Sequence, residues 1–223
     1  MKNYSKLTAV AAAGCLLLTG CGSSAKTYTD YVQAVLDCTY TGNAAKYMEL
    51  TDSTEEEAAE VYTDEKEYVA LLICSQMAVE RDYLTDATLA GYDTLAETLL
   101  SKVKYTVEPA VKSGSTYHVT VVAEPIDFWD ITIDEVEALY DNDFTERFTV
   151  ASEEGDDDAY DALEAEWGVK VLEILNSHVN GIGYKDAVNT IVEITVDDDG
   201  RYGITDKNWV DIDDLLLDVA LNT

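Results

Sequence analysis

The sequence predicts an α+β fold in which amphipathic helices pack on a curved antiparallel sheet built from two hairpins. Three observations carry this expectation. Apolar residues recur at steps of three and four through residues 31–103, the period of helices with one buried side. The period shortens to two over 104–124 and again near 188–205, with helical spacing between them. Only two prolines and no Gly/Ser-rich interior stretch interrupt 223 residues that are 47% apolar, which suits one compact body over 28–223.

Taken in order, Thr27 and Asp30 stand at capping-box spacing before a helix whose inward side is Val32, Val35, Leu36 and Thr39. Thr41-Gly42-Asn43 ends it, with Gly42 suited to the C-cap and Asn43 to the next N-cap, and a short helix covers 44–50. Ser53-Thr54-Glu55-Glu56 offers another capping box, its acids complementing the dipole of a third helix. That helix lines up Ala58, Val61, Glu65, Tyr68, Leu72 and Met77, widened by Tyr62, Val69 and Ile73. Asp86 opens a fourth, faced by Leu89, Tyr92, Ala96, Leu99 and Val103.

Tyr105, Val107 and Pro109 then alternate with Lys104, Thr106 and Glu108. After Lys112-Ser113-Gly114-Ser115, Tyr117, Val119, Val121 and Ala123 alternate with His118, Thr120, Val122 and Glu124, so a hairpin ending at Pro125 is expected. Thr132-Ile133-Asp134-Glu135 reads as the start of a helix to about Arg147, and residues 153–158 as an acidic surface loop. A helix over 159–178 follows, with Tyr160, Leu163, Trp167, Val171, Ile174 and Leu175 inward, stopped by Gly181 and Gly183. Val188, Val192, Ile194 and Val196 form one face of a third strand, and Asp197-Asp198-Asp199-Gly200 turns into a fourth over 201–205. Ile212, Leu215, Leu216 and Val219 make a closing helix.

Charge excludes some partners. Against 14 Lys+Arg stand 45 Asp+Glu, a net −31, so phosphate backbones are repelled and no nucleic-acid partner is expected. A basic face for anionic lipid is absent for the same reason. The first residues differ. Lys2 and Lys6 precede an uncharged run from Leu7 to Leu18, too short to span a bilayer but suited to a signal-peptide core. It ends in Leu18-Thr19-Gly20-Cys21 and resembles the lipobox of bacterial lipoproteins. The resemblance implies cleavage after residue 20 and acyl chains on Cys21, which anchor the chain on the extracytoplasmic face of the cell membrane. Residues 21–27 form a tether reaching about 25 Å.

The lipobox, the Tyr31-Val32-Gln33-Ala34-Val35-Leu36-Asp37 helix with its Thr41-Gly42-Asn43 break, and the Tyr105-Thr106-Val107 and Tyr117-His118-Val119-Thr120-Val121 strands around Gly114 look like a group of small Gram-positive lipoproteins. The domain of that group has no assigned function. Such domains are similar to the cystatin-like or nuclear-transport-factor-2-like architecture, in which helices fill the concave side of a curved sheet. The resemblance covers about residues 1–125 and carries over no functional residue.

Chemistry is sparse. Of four cysteines, Cys38 and Cys74 lie in the body, beside apolar neighbours; they read as buried small hydrophobes, with a bridge between them chemically allowed outside the cytosol. Neither histidine, His118 on a polar strand face or His178 at a helix end, accompanies a nucleophile motif. Asp127, Trp129 and Asp130 lie just beyond a strand end, where cavity mouths form, and are the candidate ligand-cavity rim. They equally suit a helix entry. Asp197 and Asp199 match two positions of an EF-hand loop, but Thr195 stands at position one and Asp206 at position twelve, so they are a candidate for loose cation binding only. No catalytic residue, built metal site or cofactor motif is assigned. The expected role is a non-catalytic surface lipoprotein that binds an envelope protein or small ligand. The alternative is an envelope isomerase or hydrolase using a buried carboxylate in the sheet–helix cavity.

Overall fold

The computed structural model describes residues 24–114, 116–196 and 202–219. Its helices are α1 (Ala25–Thr41), α2 (Ala45–Thr51), α3 (Glu55–Gln76), α4 (Asp86–Leu100), α5 (Phe128–Leu139), α6 (Thr145–Glu154), α7 (Asp157–His178) and α8 (Asp206–Leu216). Its strands are β1 (Lys104–Val107), β2 (Val111–Ser113), β3 (Thr116–Glu124), β4 (Val188–Val196) and β5 (Tyr202–Ile204). The fold is α+β, with helices on a curved antiparallel sheet. The body divides into two compact units. Of the described residues, a sheet unit takes those within 24–65, 100–126 and 184–219, and a helical unit takes 66–99 and 127–183.

In the sheet unit the order is β1-β3-β4-β5, with β2 also on β3. The β3–β4 ladder sets Tyr117 opposite Ile194 and Val119 opposite Val192. One face of β3 and β4 (Val119, Val121, Ala123, Val192 and Ile194) is therefore buried, as alternation requires. The first hairpin is less regular than expected. Val107 pairs with Val121 but Val111 with His118, so one extra residue is accommodated over 108–110. Pro109, which has no N–H to give the ladder, lies in that bulge, and Ala110 N–H turns instead to Thr29 Oγ1 at 2.8 Å.

α1 and α8 pack on the sheet. α1 buries Val32, Val35, Leu36 and Thr39 as expected, and also Tyr28, Tyr31 and Tyr40. Tyr28 stacks on Tyr117 with ring centroids 3.8 Å apart. The ends of the early helices correct the expected caps. α1 starts at Ala25 behind Ser24, so Thr27 falls inside the first turn. Gly42 closes the helix at φ 69°, as expected, but Ala44 rather than Asn43 precedes α2. The capping box of α3 sits one residue later than read. Glu57 N–H donates to Thr54 Oγ1 at 3.2 Å, and Thr54 N–H to Glu57 Oε2 at 2.7 Å.

The helical unit buries Val69, Ile73, Met77, Tyr92, Leu95, Leu99, Phe128, Phe144, Trp167, Val171 and Leu175. Gly168 lets Leu84 and Val79 close on α7, since an added Cβ would meet them at 2.3 and 3.2 Å. Two expectations are corrected here. The helix read as starting at Thr132 starts at Phe128, and the Thr132 hydroxyl bonds back to Phe128 O at 2.8 Å. The acidic stretch 153–158 is not a loop but a corner. α6 runs to Glu154, Gly155 turns at φ 65°, and Asp156 caps α7 by accepting from Ala159 N–H at 3.0 Å. Between α5 and α6 the chain makes a π-helical turn over Tyr140–Phe144.

Candidate functional site

The acidity of the chain turns inward at one place in the sheet unit. Glu65 lies on the apolar side of α3, in step with Ala58, Val61 and Val69, and only 7% of its surface reaches solvent. Asp213 follows the buried Ile212 on α8 and is 9% exposed. The Tyr40 hydroxyl, from α1, donates to Asp213 Oδ1. Glu65 Oε1 is buried with no hydrogen-bond partner, as are Thr39 Oγ1 and, one turn before Asp213 on α8, Trp209 Nε1. Beside them Tyr105 donates to Asp37 Oδ1 at 2.7 Å, and Gln33 Nε2 donates to the same oxygen at 2.8 Å.

Burial penalises the charged form of each acid. It pushes Asp213 up to about 7, against the Tyr40 hydrogen bond, with neighbouring Asp214 adding to the rise. Burial first, and then the charge of Asp213, push Glu65 well above the usual carboxylate range. The Tyr40 phenol is raised by burial and by both carboxylates. A carboxyl that titrates near neutrality beside a phenol can exchange a proton at ordinary pH. Both carboxyls are closed in, so the arrangement stores a proton more readily than it meets a substrate.

The helical unit carries a groove of about 700 Å³ along α6 and α7. Val150, Ala151, Ala159, Ala162 and Leu163 give it an apolar floor, and Asp143, Glu146, Glu154 and Glu166 an acidic rim. The Arg147 guanidinium is held across it by Glu166, at 3.0 and 2.5 Å.

The residues singled out in the sequence fall elsewhere. Asp127, Trp129 and Asp130 share the first turn of α5. Half-buried Asp127 accepts Gly183 N–H through Oδ1 at 2.7 Å, and Asp127 N–H donates to Gly183 O at 3.3 Å. Its carboxylate therefore clasps the chain that leaves α7. Trp129 meets Phe128 edge-on at 5.3 Å, and Asp130 is exposed. His178 Nε2 lies 2.7 Å from Glu135 Oε2. Cys38 and Cys74 are free buried thiols, each pushed up to about 11 by burial. Among the described residues no group of three or more His, Cys, Asp or Glu is arranged to hold a metal, and no helix is long and apolar enough to cross a membrane. Cys21, Asp197 and Asp199 lie outside the described residues.

Sheet, covering helices and two-unit body define a class by architecture alone: an α+β body without a matching sequence family. No protein-family profile and no curated protein sequence matches the chain. Among solved structures it is similar to YcdA of Bacillus subtilis, a candidate lipoprotein, with a TM-score of 0.53 and 15% identity. The match covers 87% of this chain and 56% of that one, so the chain spans a little over half the length of its neighbour. At that identity the likeness is one of fold.

Proposed function

We propose that this chain is a lipid-anchored lipoprotein of the extracytoplasmic membrane face whose body binds a partner or small ligand without catalysis. The observation that carries the reading is Leu18-Thr19-Gly20-Cys21 directly after an uncharged core, with Cys21 as the acylated residue. The fold shared with a candidate lipoprotein supports it, as does the resemblance to small Gram-positive lipoproteins. In this reading residues 1–20 are removed, residues 21–27 tether the body over 28–223, and two or three acyl chains hold it durably. Among the described residues the α6–α7 groove is a surface that suits the role. Its apolar floor and four carboxylates suit a cationic ligand such as a basic wall component or a lysine-bearing peptide. Asp127, Trp129 and Asp130 are a second rim, and Asp197 and Asp199 a loose cation site.

Metabolic labelling with palmitate tests the anchor. The wild-type chain should take up label and sediment with membranes, and Cys21→Ser should do neither. An unlabelled wild-type chain that keeps Met1 overturns the reading. For the groove, Glu154→Lys with Asp143→Lys should weaken binding of a lysine-rich peptide about tenfold, and added salt should weaken the wild-type complex. The alternative of an envelope isomerase or hydrolase draws on Asp213, the carboxyl that titrates near neutrality, with Glu65 beside it. It requires a substrate-sized opening onto that pair.

A further inference from the structure

Glu65 and Asp213 are two acids in the interior of the sheet unit with no cation opposite them. The titratable groups that face them are Tyr40 from α1 and Asp214 from α8 itself; behind Tyr40 lies Tyr105 from β1, which in turn meets Asp37. All are acids or phenols. Among the described residues no ion pair reaches either carboxyl, and Glu65 Oε1 has no hydrogen-bond partner. Two neighbouring carboxyls in a dry interior cannot both ionise cheaply, so the pair keeps a proton. The site joins three helices: Glu65 from α3, Tyr40 from α1 and Asp213 from α8.

α8 is fastened to the sheet unit by hydrogen bonds near its two ends and by the buried Ile212 and Leu216. Asn208 Nδ2 donates to Ile191 O at 3.0 Å, and Asn208 Oδ1 accepts Glu193 N–H at 2.9 Å. At its far end Leu216 O accepts Ile126 N–H at 3.2 Å, and Lys185 Nζ meets Asp218 Oδ2 at 2.5 Å. Between these fastenings the middle of α8 presents Asp213 to Glu65 and Tyr40.

We propose that protonation of the buried carboxyls of Glu65 and Asp213 is a latch that keeps α8 seated in the sheet unit, and that loss of the proton to solvent loosens α8 before the rest of the molecule unfolds. The direction follows from linkage. Both carboxyls are raised in the folded state, so their contribution is intact below the usual carboxylate range and is lost as pH rises through about 7. The inference does not depend on the anchor or on any ligand.

Hydrogen exchange of the full chain between pH 5.5 and 9, corrected for intrinsic rates, tests it. Protection over residues 207–219 should fall at least tenfold per pH unit from 5.5 to about 7, the slope for a proton bound only in the folded state, and level off above that, while α4, which buries no carboxyl, stays level. Glu65→Gln with Asp213→Asn, which leaves neither acid to ionise, should flatten the profile of α8. Tyr40→Phe, which removes the hydrogen bond that favours ionised Asp213, should move the levelling-off to higher pH. The proposal is overturned if α8 protection in the wild-type chain does not change across the range. It is also overturned if the double variant keeps the full fall, which would assign the effect to the −31 charge of the whole chain.

Discussion

In the helical unit the polar tips of two buried aromatics end on backbone carbonyls. Trp167 Nε1 donates to Met77 O at 3.1 Å, and the Tyr92 hydroxyl to Gly168 O at 2.7 Å. In the sheet unit Thr39 Oγ1, Glu65 Oε1 and Trp209 Nε1 are equally buried and end on nothing, while Tyr40 ends on a carboxyl. A backbone carbonyl is a fixed, uncharged acceptor, so the first arrangement is indifferent to pH. The second depends on a proton that solvent can take. The difference teaches that a buried polar group strengthens a core when its partner cannot titrate, and makes the core conditional when it can.

The comparison can be broken most forcefully at Trp167. Trp167→Ala removes a 5%-exposed indole together with its hydrogen bond and should cost about 3–5 kcal/mol in denaturant unfolding at every pH from 5 to 8. Glu65→Met should act in the opposite sense. It should stabilise the chain by about 1–3 kcal/mol at pH 8, with a smaller gain at pH 5, where the carboxyl is already neutral. Asp127→Ala leaves Gly183 N–H without its acceptor and should cost about 1–2 kcal/mol, seen as a lower denaturation midpoint with unchanged slope. Thr54→Ala removes the cap of α3 and should cost about 1 kcal/mol. Arg147→Ala, which breaks a bridge 46% and 43% exposed, should leave the melting temperature within error.

The legible parts of the fold were those governed by periodicity. The alternation of β3 and the spacing of Tyr92, Ala96 and Leu99 on α4 translate directly into buried faces. Element ends were harder, because several residues can serve as a cap. Thr54 takes the role that the sequence offered to Ser53, and Thr132, which looks like a cap, is used inside a helix. The acidic 153–158 stretch reads as loop from composition, yet Gly155 alone makes the turn. The buried pair was half visible. Glu65 interrupts an apolar stripe at the right step, a signal that could have marked it. Asp213 could not be told from Asp211 and Asp214, because only tertiary packing decides which acid of α8 faces inward. Asp127 reads in the sequence as a cavity rim or a helix entry; its bond to Gly183 is not legible there, because that partner is distant in sequence.

The wide turn at Tyr140–Phe144 has a consequence for the length of the chain. Continuing the inward row of α5 (Phe128, Thr132, Val136) at 3.6 residues per turn reaches positions near 143, 147 and 150. The inward residues of the next helix are instead Phe144, half-buried Phe148 and Ala151, each one place late. One residue of Tyr140–Asp143 is thus surplus to a straight rod, absorbed by the looser coil so that the aromatic row keeps its bearing. A chain shortened by one residue here would run through as an unbroken helix with Phe144, Phe148 and Ala151 still inward, so the added residue changes the pitch of the helix and spares the packing of its inner row.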